Sequence, residues 1–511
     1  MREQWTPDRR PSLTSRLARL GFTDATRAQR LLAEAQADAG IALGDELIDA
    51  IGGTAEPDLA LGGLLRLLTA LGSVGRGVTA AGLLTALETE PPTRERVLAV
   101  LGVSSALGDH LARHPEHWAD LAGEQALRRP DPGTLRTELL QAVGADPELD
   151  RPRAHDGEPD TLVALRVEYR RHLLRLAGRD LTGICTLDEV AAELADLAAA
   201  ALEAGLAIAR AQTPEADCCR LAVIGMGKCG GRELNYVSDV DVIFVAEPAP
   251  GASEEAALRT ATRLASGLMR ACSASTAEGA LWEVDAALRP EGKAGPLVRT
   301  LASHRAYYER WAKTWEFQAL LKARPVAGDA ELGQAYVDAL TPLVWKAAAG
   351  ENFVEDVQAM RRRVEQRLRA TADPDQAERQ LKLGPGGLRD VEFAVQLLQL
   401  VHGRADETLR SPTTLEALAA LSQGGYVGRE DGAALAAAYR FLRRVEHLIQ
   451  LHRLRRTHLV PGDPEGLRRL GRVLGAAGEV PAGDGTSAQR PRTDPAGAFT
   501  VRWQRHAREV R

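Results

Sequence analysis

Residues 224–245 read IGMGKCGGRELNYVSDVDVIFV, and the reading of this stretch decides the fold. RLAVIGMG predicts a short strand that ends in a glycine turn, and SDVDVIFVAE predicts a second strand. Two aspartates, Asp239 and Asp241, fall within ten residues of Gly231. G-M-G-K-C-G (225–230) fits the G-x-G-x-x-G pattern of dinucleotide sites. That pattern needs a helix of about 10–15 residues after the glycines and an acid about 20 residues on. Here the next strand starts almost at once and carries its acids at its start. The phosphate-loop pattern fails too, because no G-K-[ST] follows the second glycine. Another chemistry fits. Asp239 and Asp241, at i and i+2 of a strand, point to one face. Two carboxylates aimed together need a cation, and hard oxygen ligands favour Mg2+. Gly230 and Gly231 at a short helix start would offer backbone N–H groups to a phosphate. Asp285, on a neighbouring strand, would complete the acid set. Two metal ions about 3.5–4 Å apart would then clamp an in-line displacement at phosphorus, the logic of nucleotidyl transfer.

Outward from this stretch the pattern changes. Residues 1–219 read as successive amphipathic helices, among them TLVALRVEYRRHLLRLAGRDL and a long one that opens on Thr-Leu-Asp-Glu, a capping signal. Residues 220–330 form the catalytic segment. After the two strands comes an amphipathic helix, EEAALRTATRLASGLMRACSAS, and then a third strand, GALWEVDAALRP. Trp282, Val284, Ala286 and Leu288 take one face of that strand and Glu283, Asp285 and Ala287 the other. Residues 331–475 return to helices, including NFVEDVQAMRRRVEQRLRA, as a helical bundle. Residues 476–497 read as a linker or loop and 498–511 as the start of a helix cut short. The expected class is α+β and mostly helical: a small mixed sheet of nucleotidyltransferase type between helical domains.

Composition narrows the function. With 45% hydrophobic and 26% charged residues the chain is globular. A net charge of −6 gives no whole-chain basic character, so no nucleic-acid partner is expected. No apolar run of about 20 residues predicts a membrane span, and MREQWTPDRRPSLTSRL lacks a signal core, so the expected location is cytoplasmic. The five cysteines lack metal spacing and read as ordinary thiols. Of the 64 Lys and Arg only six are lysines: Lys228, Lys293, Lys313, Lys322, Lys346 and Lys382. A lysine kept among so many arginines marks a place that wants a compact ammonium, above all at Lys228 and Lys322. His114 and His117 have no matching acid nearby and read as a helix end. His447, His452 and His458 fall on an Arg-rich helix that reads as a solvated charged face.

GMGKCGGRELNYVSDVDVIF closely resembles the nucleotidyltransferase motif of the glutamine synthetase adenylyltransferase/adenylyl-removing family. VDAALRPEGKAGPLV (284–298), RAYYERWAKTWEFQALLKARPVAGD (305–329), KLGPGGLRDVEFAVQLLQL (382–400), YRFLRRVEHLIQ (439–450) and RVEYRRHLLRLAGRDLTG (166–183) are similar to that family in its order. Uridylyltransferases acting on PII share the glycine and D-x-D core but are not expected to share LRPEGKAGPLV or GGLRDVEF. The resemblance implies one of two related halves. ELNYVSD resembles the half that removes AMP from a tyrosine of glutamine synthetase by phosphorolysis, giving ADP; the adding half more usually reads ELGYGSD and uses ATP. It implies Asp239, Asp241 and Asp285 as ligands of Mg2+, two ions in all. It implies Gly230, Gly231, Lys228, Ser238, Arg289, Lys322 and Arg324 around the phosphates of AMP or of attacking inorganic phosphate. Arg389 and Glu392 read either as a second wall of the cleft or as a structural ion pair, and Trp315 and Glu316 as packing. Many relatives read V-D-x-R-L-R-P where Ala287 stands here. The implied partners are glutamine synthetase and the PII signalling protein. Two other readings remain: the forward adenylyltransferase, which shares every metal ligand, and a non-catalytic module that only binds those partners.

Overall fold

The computed structural model describes residues 12–73, 79–155, 160–347, 359, 374–476 and 494–511. Apart from residue 359, the helix expected over 352–370 lies outside them, as do residues 477–493 of the expected 476–497 linker. At the centre is a five-stranded mixed sheet: β1 (Cys219–Gly225), β2 (Val240–Pro248), β3 (Val284–Asp285), β4 (Val298–Arg299) and β5 (Arg324–Gly328). β1 runs antiparallel to both β2 and β5. β3 and β4 follow one another along the other edge of β2, both parallel to it.

Alternation along β1 and β2 divides the core in two. Leu221, Val223, Val242 and Phe244 join Leu202, Leu264 and Leu268 of the helices Leu187–Ala211 and Glu254–Ser273. Ala222, Ile224, Ile243 and Val245 join Tyr336, Leu340 and Val344 of the helix Ala330–Ala347. With both faces covered, the strands read as near-continuous apolar runs.

The third strand is a correction. Trp282, Val284 and Ala286 are buried as expected, but only Val284 and Asp285 pair with β2; a turn over 286–295 takes the rest. β4 and β5 were not expected. Each is short and lies beside glycine- or proline-rich turns, so neither shows a clean period of two.

The helical segments appear in the expected order. Leu187–Ala211 opens on Thr186, whose side chain and that of Glu189 form the capping box read in the sequence. RERVLAVLGVSSALGDHLARHPEHWADL is broken into Pro91–Leu101, Ser105–Arg113 and a 3-10 turn, Pro115–Leu121. The helix Arg429–Leu451 penetrates the molecule, burying Tyr439 through Leu451 except at exposed Arg440 and half-buried Arg444. Its C-terminal end meets the N-terminal block, where Ser104 Oγ donates to the Leu451 carbonyl at 2.6 Å. Pro495–Val510 packs against Pro464–Ala476 with Phe499 buried. One hydrophobic cluster therefore runs from Leu17 to Phe499, joining the N-terminal helices, one face of the sheet and the C-terminal helices, while the second lies on the sheet's other face.

Candidate active site

β2 and β3 are parallel and in register, with Asp241 opposite Asp285. Partners in a parallel pair project to the same side, so the two carboxylates stand together at the sheet edge. Asp239, just before β2, joins them, and one oxygen from each of the three lies within 4.8 Å of the others. Their positions are fixed locally. The Met226 N–H donates to the Asp241 carbonyl at 2.8 Å. The Ala287 N–H donates to Asp285 Oδ1 at 2.8 Å, and Ser238 Oγ donates to Asp239 Oδ1 at 3.3 Å. Burial, with the Asp239 and Asp285 carboxylates beside it, pushes the Asp241 carboxyl up to about 7. Three crowded carboxylates with an all-oxygen donor set fit a hard divalent cation such as Mg2+.

The glycine turn meets this site from below. Gly227 has φ +51°, and a Cβ there would lie 2.6 Å from Asp241 Oδ2, so only glycine lets the turn pass under the carboxylate. Gly230 and Gly231, which the resemblance places at a phosphate, are also built into the turn itself. Their N–H groups close the turn on the Met226 and Gly227 carbonyls, each at 3.0 Å. What needs Gly230 is space: a Cβ would fall 1.8 Å from the Lys322 carbonyl.

Most of the expected cations are committed to internal partners. Lys228 Nζ donates to Glu446 Oε2 at 3.2 Å and to Asn235 at 3.3 Å, and burial pushes it down to about 8 against the pull of Glu446. Lys322 is buried on Glu233 and also donates to Thr414 Oγ1 at 3.1 Å. Arg324 donates to the Gly230 and Cys229 carbonyls at 3.1 and 3.0 Å. Arg289 clasps its own turn through the Ala286 and Gly295 carbonyls. Arg389 and Glu392 do not form an ion pair with each other. The Arg389 guanidinium lies over the Phe393 ring at 5.8 Å, and Glu392 accepts from Tyr439 OH at 3.1 Å. Glu316 is buried and accepts from Lys313 N and Tyr307 OH, a packing role as read.

Two cations that the sequence reading did not place in the site reach it. Arg456 Nη2 donates to Asp239 Oδ2 at 2.8 Å. Lys382 draws both Asp241 and Glu392 downward, and no hydrogen bond or ion pair of its ammonium is found among the described residues. The signal for Lys382 was its rarity; Arg456 sits among many arginines and had none.

The Arg-rich helix also corrects the reading of its histidines. His447 is buried edge-on to Tyr236 at 5.4 Å. His458 Nδ1 donates to Glu446 at 2.7 Å, and His452 Nδ1 to the Val103 carbonyl at 3.0 Å. This face looks inward. It grips the loop 231–239: Arg443 donates to the Glu233 and Leu234 carbonyls, while Gln450 Oε1 accepts from Asn235 and from the Val237 N–H. On the loop's other side Tyr236 OH donates to Asp180 at 2.9 Å. His114 also has an acid after all, Glu278, which is remote in sequence.

Comparison with known proteins adds the following. A family model described as glutamate-ammonia ligase adenylyltransferase matches residues 94–339. One described as GlnD PII-uridylyltransferase matches residues 357–511, a range that includes GGLRDVEF, so that segment is not foreign to the uridylyltransferases. A bifunctional glutamine synthetase adenylyltransferase/adenylyl-removing enzyme of Streptomyces avermitilis is 56% identical over 506 residues, covering 99% of this chain and 47% of the relative. The protein of the same name from Streptomyces coelicolor is 56% identical over 515 residues, covering 99% and 47%. That from Mycobacterium tuberculosis strain H37Rv is 49% identical over 480 residues, covering 91% and 44%. The chain spans about half the length of the curated relatives it matches. Among the described residues no helix is long and apolar enough to cross a membrane.

Proposed function

The chain belongs to the family of bifunctional glutamine synthetase adenylyltransferase/adenylyl-removing enzymes, and from that premise we propose that it carries the adenylyl-removing reaction. The observation that carries the reading is the convergence of Asp239, Asp241 and Asp285. The form ELNYVSD favours removal over addition.

In this reading Asp239, Asp241 and Asp285 would hold Mg2+, which would supply charge neutralisation at the phosphates. The rest falls to the chain. Lys382 and Arg389 receive the incoming inorganic phosphate and the AMP phosphate, since their cationic groups have no ion-pair partners among the described residues. Arg456, which pairs with Asp239, would be available to the nucleotide phosphate if an ion held that carboxylate. An oxygen of inorganic phosphate attacks the phosphorus of the AMP group. The bond from phosphorus to the tyrosine oxygen breaks, its electron pair leaves on the phenolate, and that oxygen takes a proton from solvent. The products are ADP and unmodified tyrosine. Inorganic phosphate is a nucleophile at neutral pH, so no strong base is required. Lys228, Lys322 and Arg324 act one layer back, fixing the turn and loop that aim the aspartates. PII is the expected regulatory partner.

The test is product analysis. AMP-tyrosyl glutamine synthetase with Mg2+ and phosphate should yield ADP, and Asp241→Asn should abolish it. Unmodified synthetase with ATP should yield no pyrophosphate; pyrophosphate would assign the chain to the adding half.

A further inference from the structure

A second cluster of metal-ligating side chains lies apart from the acid site, where the N-terminal block meets the loop that feeds β3. His110 is on the helix Ser105–Arg113, His114 caps that helix, and His117 is on the following 3-10 turn. Glu278 comes from the turn 276–279. His110, His114 and Glu278 each offer one ligand atom within 4.8 Å of the other two. His114 Nε2 lies 3.0 Å from Glu278 Oε1, a hydrogen-bond contact that puts the two groups side by side.

Three further observations point to an ion. His110 is fully buried, and its Nδ1 has no hydrogen-bond partner. A buried polar atom left orphaned is uncommon and asks for a cation or a water. His110 Nε2 lies 3.0 Å from His117 Nδ1, the kind of second contact that fixes the ring of a ligating histidine. The other carboxylate oxygen of Glu278 is held by Arg113 at 2.7 Å and Arg170 at 3.5 Å, which leaves Oε1 for the histidines. Glu116 lies 3.8 Å from His117 Nε2, and Asp120 and Arg171 also face His117.

We propose that His110, His114 and Glu278 form a binding site for Zn2+ or a similar borderline divalent ion, with His117 as the positioning residue. Two nitrogens and one carboxylate suit zinc rather than Mg2+ or Ca2+, and three protein ligands leave a fourth position for water. The ion would join the N-terminal helices to the loop that leads into Asp285. Arg113 already makes that link, through Glu278 at 2.7 Å and the Ala277 carbonyl at 3.4 Å.

The probe is Co2+, which reports four-coordination by its ligand-field absorption. It is titrated into the full chain carrying Asp241→Asn, so that the acid site does not contribute. The expected result is one equivalent of a four-coordinate band, displaced by Zn2+, together with a rise in Tm on adding Zn2+. His114→Gln and, separately, Glu278→Gln in that background should lose the band while circular dichroism shows a folded chain. If one of them does not fold, the other decides. No band in the parent, a band that survives the folded variants, or a near-ultraviolet thiolate band that places cobalt on a cysteine would each overturn the proposal.

Discussion

Asp241 lies between two other carboxylates, and its carboxyl is pushed up to about 7. The sign of the consequence follows from proton counting. Between its ordinary value near 4 and 7, the metal-free folded chain holds a proton that the unfolded chain has released. The site's contribution to stability is therefore greatest below pH 4, falls as pH rises through this window, and is level above it. Mg2+ prefers the ionised carboxylates, so the Tm gain on adding Mg2+ should be larger at pH 8 than at pH 5.5. Asp241→Asn should remove most of that difference; an equal Mg2+ gain at both pH values would contradict the assignment. Arg456 tests the same site from outside. Its pair with Asp239 is partly exposed, and such pairs contribute about 0.2–1 kcal/mol. Arg456→Ala should tighten Mg2+ binding without nucleotide by about 1.4- to 5-fold, read by calorimetry. At this scale the acids were legible because D-x-D in a strand fixes where carboxylates point. The partners Arg456 and Glu446 were not, because each arrives from more than 200 residues away.

The helix Arg429–Leu451 is the element that holds the site loop. Glu446 is buried beneath Lys228, Arg443 and His458. Burial alone would push its carboxyl up, but these neighbours bring it well below its ordinary range. Removing one member of such a group leaves charge buried and unpaired, at a cost of about 3–5 kcal/mol. Glu446→Ala should therefore cost about that much in denaturant unfolding, and a loss under about 1 kcal/mol would show that the network is not what holds the loop. The retained lysines make sense here. Lys228 and Lys322, singled out in the sequence by their rarity, sit in buried pairs with Glu446 and Glu233. The inward turn of the Arg-rich helix was not legible, because an i, i+4 pattern of Arg, Glu and His reads alike on a solvated face and in a satisfied buried network. β1 and β2 were legible as short apolar runs beside the glycine turn and the helix Glu254–Ser273 from its period; β4 and β5, short and turn-bound, were not.

Across the whole molecule one hydrophobic cluster links the N-terminal helices, one face of the sheet and the C-terminal helices. The sequence shows where periodicity changes but not which faces meet, so the docking of Ser104 on Leu451 and of Arg469 on Glu56 at 2.7 Å could not be read from it. Calorimetry should accordingly show one main unfolding transition. Ser104→Ala, which removes a helix cap and the Leu451 contact together, should lower the whole transition by about 1–2 kcal/mol; a separate early transition for the N-terminal helices would contradict a shared core. The central claim concerns the fate of phosphate. Labelled inorganic phosphate, supplied with AMP-tyrosyl glutamine synthetase, Mg2+ and this chain, should appear in the β-position of ADP as AMP leaves the protein. Release of free AMP with no label incorporated would mean that water is the nucleophile, and the account of the site as a phosphorolytic centre would fall.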